Sequence, residues 1–264
     1  MLFRSPLLEI KGLTISFGGL VAVDDVDLSV NTGEIVGLIG PNGAGKTTVF
    51  NCISRFYEPL FGTIRFKDRD ITRARSHEII RFGIARTFQN VELCRSMTTL
   101  ENLLVGEHAV MRGGAIRDGL RLRGVGADEA RATARADEIL DFLGLTGHRD
   151  SVVSTLPFRL QKLVELGRAL VSHPGLLLLD EPSAGADHRE SQGLADLIRR
   201  IRERFDLSVL VVEHDMSFVM GLCDRLYVLD FGRRIATGTP SDVRRNPVVI
   251  EAYLGEPEVE ASDA

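Results

Sequence analysis

No apolar run in this 264-residue chain approaches the roughly 18 residues needed to cross a bilayer. Leu176 to Leu179 and Val209 to Val212 are short runs, of a length that suits buried strands. The opening residues, Met1 to Pro6, hold one Arg and no apolar stretch of signal-peptide length. The expectation is a protein that stays inside the cell and serves a membrane only through a partner that spans it. Cysteine is scarce. Cys52, Cys94 and Cys223 are odd in number and lack ligand-like spacing, so reduced thiols are expected rather than a disulfide framework or a metal cluster. Positive charge is not in excess. With 32 Lys and Arg against 37 Asp and Glu, the net charge is −5, which argues against a general nucleic-acid binder. There is no low-complexity tract, heptad array or internal repeat. What remains is 44% hydrophobic and 26% charged, the make-up of a folded chain with one large domain or a core with a subdomain.

Strand patterns cover Leu8 to Phe17 and Val21 to Val30, joined by Gly18-Gly19 as a hairpin-like turn. Glu34 to Ile39 is a short apolar strand that enters a glycine-rich loop, and a helix follows over Thr47 to Ser54. Gly62 to Phe66 and Ile84 to Phe88 read as further strands. From Thr99 to Gly147 the pattern is helical. Asp128 to Phe142 is its clearest helix, with Asp128 as N-cap and Gly144 as the stop. Arg112 to Gly126 reads as a mobile loop or short basic helix. Strands return at Leu176 to Asp180, Ser208 to Glu213 and Leu226 to Leu229. They alternate with helices over Leu160 to Val171, Glu190 to Phe205 and Met216 to Cys223. Such alternation implies an α/β fold with a mostly parallel sheet, its core split by a helical insert near 90–155. Glu256 to Ala264 is acidic and small, an expected disordered tail.

Gly40-Pro41-Asn42-Gly43-Ala44-Gly45-Lys46-Thr47 fits G-x-x-x-x-G-K-[ST], between a strand and a helix. Glycines let successive backbone N–H groups turn inward around phosphate oxygens. The helix adds its positive end. Lys46 supplies a compact cation for the β- and γ-phosphates, and the Thr47 hydroxyl reaches Mg²⁺. Thr48 closes the loop. The expected ligand is Mg-ATP. Leu176-Leu177-Leu178-Leu179-Asp180-Glu181 is the second half of the site. A buried strand carries Asp180 to the carboxyl edge of the sheet, where open α/β sheets place ligands. There Asp180 can hold Mg²⁺ through water and Glu181 can polarise an attacking water.

With these parts in order, the chain resembles the ABC ATPases over roughly residues 7–255. The resemblance implies a P-loop NTPase core (7–89 and 156–238) with an antiparallel β subdomain. It adds an inserted helical subdomain (90–155) and a C-terminal helical extension (239–255). Gln89, in Thr87-Phe88-Gln89-Asn90, looks like the family's Q-loop, whose Gln touches Mg²⁺ and the attacking water. Ser183 to Asp187, with Ala184, Gly185 and Asp187, sits at the D-loop. His214 sits at the switch position, implying contact with the γ-phosphate, and Phe17 resembles the aromatic that stacks on adenine. Phe17-Gly18-Gly19-Leu20-Val21-Ala22-Val23, Glu213 to Met220, and Glu251-Ala252-Tyr253-Leu254-Gly255 are similar to one subfamily. That subfamily is the ATP-binding subunits of branched-chain amino-acid importers, the LivG type.

One element departs from the family pattern. The signature, usually L-S-x-G-Q, aligns with Leu156, Pro157, Phe158, Arg159, Leu160 and Gln161. Pro157 stands for Ser and Arg159 for Gly, while Ala186 stands where the D-loop usually has Leu. The resemblance implies a second ATP-binding subunit whose nucleotide faces this signature. It also implies two transmembrane permease subunits, an external solute-binding protein acting indirectly, no nucleic acid, and a peripheral place on the cytoplasmic face of the inner membrane. Other readings are a mainly regulatory subunit with an impaired signature, a soluble ABC ATPase of DNA repair or translation, and a P-loop kinase.

Overall fold

The computed structural model describes residues 6–87, 92–108 and 125–254. These divide into two compact units, with borders between 76 and 77 and between 177 and 178, the stretch between the borders forming the second unit. Gln89, most of Arg112 to Gly126, and the acidic tail lie outside the described residues.

In the first unit, an antiparallel sheet is ordered β2-β1-β4-β5, from β1 (Leu8–Phe17), β2 (Leu20–Val30), β4 (Phe61–Phe66) and β5 (Arg69–Asp70). Alternate residues Leu8 and Ile10, then Leu13 and Ile15, are buried. The skip in this alternation follows a register shift between Ile10 and Leu13, at the positive-φ Gly12. Gly18 and Gly19 both have positive φ, 54° and 89°, so the β1–β2 connection is the tight turn that glycine alone makes easily.

A second sheet runs β10-β9-β3-β8-β7 within this unit, from β3 (Ile35–Ile39), β7 (Leu176–Asp180), β8 (Ser208–Val212), β9 (Arg225–Asp230) and β10 (Arg233–Gly238). β3 is central and parallel to both β8 and β9. β3, β7 and β8 are buried at every residue, which is why they read as unbroken apolar runs. The edge strand β10, unread in the sequence, joins β9 through Phe231-Gly232, both at positive φ. Arg225 ties β9 to the start of β3, with two 2.8 Å contacts to the Glu34 carboxylate. Helices His188–Phe205 and Met216–Leu222 follow β7 and β8, and Pro240–Arg245 and Pro247–Leu254 end the described chain.

The second unit holds the short strand β6 (Ile84–Arg86) and the helices Thr99–His108, Val125–Phe142 and Phe158–Leu170. The first and last of these cross closely at Gly106, where a Cβ would come within 2.2 Å of the Arg168 carbonyl. The middle helix starts at Val125, so Asp128 lies in its first turn and is not the N-cap the sequence suggested. Gly144, at φ 70°, ends the helix as expected. Among the described residues no helix is long and apolar enough to cross a membrane.

Candidate active site

β3 ends at Ile39 and the chain turns through Gly40 into the loop. Gly40 has φ 151°, and a Cβ there would come within 2.1 Å of the Leu229 carbonyl oxygen, so only glycine fits. Gly45 sits at the N-cap position of the helix Lys46–Ile53, left-handed at φ 96°, and no side chain caps that helix. Its first amide groups are therefore open to a ligand. Those residues line a cavity of about 230 Å³ together with Ala22, Asn42, Gly43, Ala44 and Glu181. Lys46 is buried, and its Nζ donates to the carbonyls of Gly40 at 2.7 Å and Pro41 at 2.8 Å. Burial draws the Lys46 pKa below the usual lysine range, while the Glu181 and Glu213 carboxylates pull it back up. An uncapped helix end, a glycine-lined cradle and a half-compensated cation fit a polyphosphate.

The acidic pair arrives at the end of β7. Asp180 is buried at the end of β7. Glu181 follows in a left-handed conformation, φ 45°, rare for a side chain of its size. Its N–H donates to the Val212 carbonyl of β8 at 2.9 Å, and its carboxyl oxygen lies 3.8 Å from His214 Nδ1. His214 itself is half-exposed. The next residue, Asp215, caps the helix Met216–Leu222 by accepting from the N–H groups of Ser217 and Phe218. The structure thus brings Asn42, Gly43, Ala44, Gly45, Lys46, Thr47, Thr48 and Glu181 to one cavity, with His214 beside Glu181 and with Gly40 and Asp180 outside its lining.

The remaining candidates stand elsewhere. Phe17 is not part of the cavity lining. It is 45% exposed and packs edge-on to Tyr57, ring centroids 5.0 Å apart. Ala184 and Gly185 form the turn after Glu181. The Asp187 side chain is used as the N-cap of His188–Phe205, in a capping box with Glu190. In the second unit, Pro157 is the N-cap residue of Phe158–Leu170 and offers no side-chain cap. Leu156 is buried, Phe158 and Arg159 are exposed, and Leu160 lies in the first turn. Gln161 donates back to the Leu156 carbonyl at 2.8 Å. Two residues escaped the sequence reading. Ala22 lines the cavity and its carbonyl backs Gly45. Glu213 is fully buried just after β8, and an acid directly following the apolar run Val209 to Val212, like Asp180 after Leu176 to Leu179, was the available signal.

A family model described as ABC transporter matches residues 23–184, and one described as branched-chain amino acid ATP-binding cassette transporter matches 233–259. Over 251 residues the chain is 44% identical to the high-affinity branched-chain amino acid transport ATP-binding protein LivG of Salmonella typhimurium, covering 95% of this chain and 98% of that one. Identity to the BraF protein of Pseudomonas aeruginosa, described in the same words, is 42% with the same coverage. A crystal structure of the ADP conformation of an ATP-binding cassette of an ABC transporter superposes with TM-score 0.83 at 33% identity, covering 96% of this chain and all of that one. A nucleotide-free cassette from an ABC transporter gives 0.80 at 34%, covering 95% and 100%.

Proposed function

We infer the role of this chain from the family to which it belongs, the ATP-binding subunits of ABC transporters: it is a transport ATPase, and its cargo is branched-chain or related amino acids moved inward. The observation that carries the chemistry is the single cavity shared by the phosphate loop and Glu181. Lys46 and the loop amides hold the β- and γ-phosphates and offset their charge. Glu181 takes the proton of the attacking water, and His214, 3.8 Å away, orients the γ-phosphate end of the site. Thr47 and Asp180, with Gln89, would hold Mg²⁺, which when bound neutralises charge on the phosphates. Phe17 stacks on the adenine. The cargo rests on the C-terminal match at 233–259 and on the relatives' printed activity.

In this reading, two ATP-binding subunits close on ATP, each nucleotide lying between one chain's phosphate loop and the other's signature. Closure drives two permease subunits at the cytoplasmic face of the membrane, and a solute-binding protein delivers the cargo outside. Pro157 and Arg159 favour a variant of this scheme, in which the chain acts as one half of an unequal pair and contributes the weaker signature. The test is ATP-dependent uptake of leucine, isoleucine and valine by proteoliposomes holding this chain with its permease and ATPase partners. Uptake that needs ATP and is lost with Lys46→Ala is the expected result. ATP turnover without uptake of any of the three would overturn the cargo assignment.

A further inference from the structure

The site described so far needs two loops to meet. One follows β7 and carries Glu181; the other follows β8 and carries His214. Two hydrogen bonds join them, and Glu213 accepts one. Its Oε1 accepts the Ser183 N–H of the other loop at 2.8 Å, while its Oε2 accepts the N–H of its own chain neighbour His214 at 3.2 Å. The second is the Glu181 N–H to the Val212 carbonyl. Glu213 is fully buried, and its own N–H reaches toward the Leu38 carbonyl of β3 at 3.4 Å, next to the start of the phosphate loop. A buried carboxylate is costly unless its oxygens are satisfied. Here two backbone donors, one from each loop, and the nearby Lys46 cation meet that demand. A neutral side chain of the same size does not replace it. The amide of Gln has one oxygen to accept with, and its NH₂ would face the second N–H.

We propose that Glu213 is a positioning residue that fixes the Glu181 and His214 loops to each other and so sets the distance between base and switch. This rests on the assignment of Glu181 and His214 to ATP hydrolysis. Glu213 touches neither substrate nor water in this role. Its effect belongs to the hydrolytic step, because the phosphate-binding amides and Lys46 stay in place.

The experiment is steady-state ATP hydrolysis by the assembled transporter carrying Glu213→Gln, His214→Ala or both. For Glu213→Gln, kcat falls about tenfold or more while KM for ATP moves by less than about threefold. In the His214→Ala background the same change costs only about threefold or less, since the loop it positions has lost its side chain. Equal losses in both backgrounds, or a rise in KM matching the fall in kcat, would overturn the proposal. A second measurement covers a variant that fails to fold. In the wild-type protein, amide hydrogen exchange at Ser183 and His214 should be slowed together, and exchange of either at open-loop rates would overturn the proposal. A wild-type transporter that does not hydrolyse ATP would refute the site assignment, whereas turnover retained by Glu213→Gln refutes only this inference.

Discussion

Cys52 lies on the helix that follows the phosphate loop, fully buried, and burial raises its thiol pKa from 9.0 to about 11 against a smaller pull from Arg55. Cys223 is shifted the same way by burial, and Tyr253 is pushed up to about 12. For each, the fold holds a proton that the unfolded chain gives up. Stability is therefore full below the unfolded pKa and is lost as pH rises through the folded one, for Cys52 between 9.0 and about 11. Urea unfolding midpoints measured from about pH 8 upward should fall across this window, and fall less steeply for Cys52→Ala. Equal slopes would show that the buried thiol is not a source of the loss. At this scale the sequence was readable where residue type and spacing bring side chains together, as at Lys46 and Glu181, which line one cavity. Glu213 was not, because its role depends on two amide groups from loops 30 residues apart in the case of Ser183.

Among the elements, β3, β7 and β8 were legible because full burial on both faces writes a continuous apolar run. β10 and the helix Ser76–Phe82 were not. β10 is a polar edge strand, Arg-Arg-Ile-Ala-Thr-Gly, and the helix buries only Ile79. The signature helix was foreseen, and its start explains the departure from the family pattern. Pro157 fits the extended N-cap geometry, φ −53° and ψ 146°, but leaves the helix end without a side-chain acceptor. Arg159, exposed in the first turn, puts a bulky cation where the family pattern has glycine. If that end faces a partner's ATP, two charge-assisted hydrogen bonds are missing, each worth about 1.5–3 kcal/mol. The expected outcome is that the purified chain is a poor ATPase, and that Pro157→Ser with Arg159→Gly raises ATP-driven dimerisation and turnover. No gain in either would show the altered signature to be harmless.

For the whole molecule, the sequence conveyed an α/β nucleotide core and a helical stretch inside it. The split into units at 77 and 177 was less legible, because those borders fall at the edge of one helix and within β7, where the chain pattern does not change. The central claim is that the cavity shared by the phosphate loop and Glu181 is where ATP is hydrolysed. Its most direct test measures ATP affinity and ATP turnover of Glu181→Gln beside the wild type in the assembled transporter. Affinity should stay within a few-fold while turnover drops about a hundredfold or more, the range of a positioned base. Turnover near the wild-type rate with ATP still bound would contradict the account.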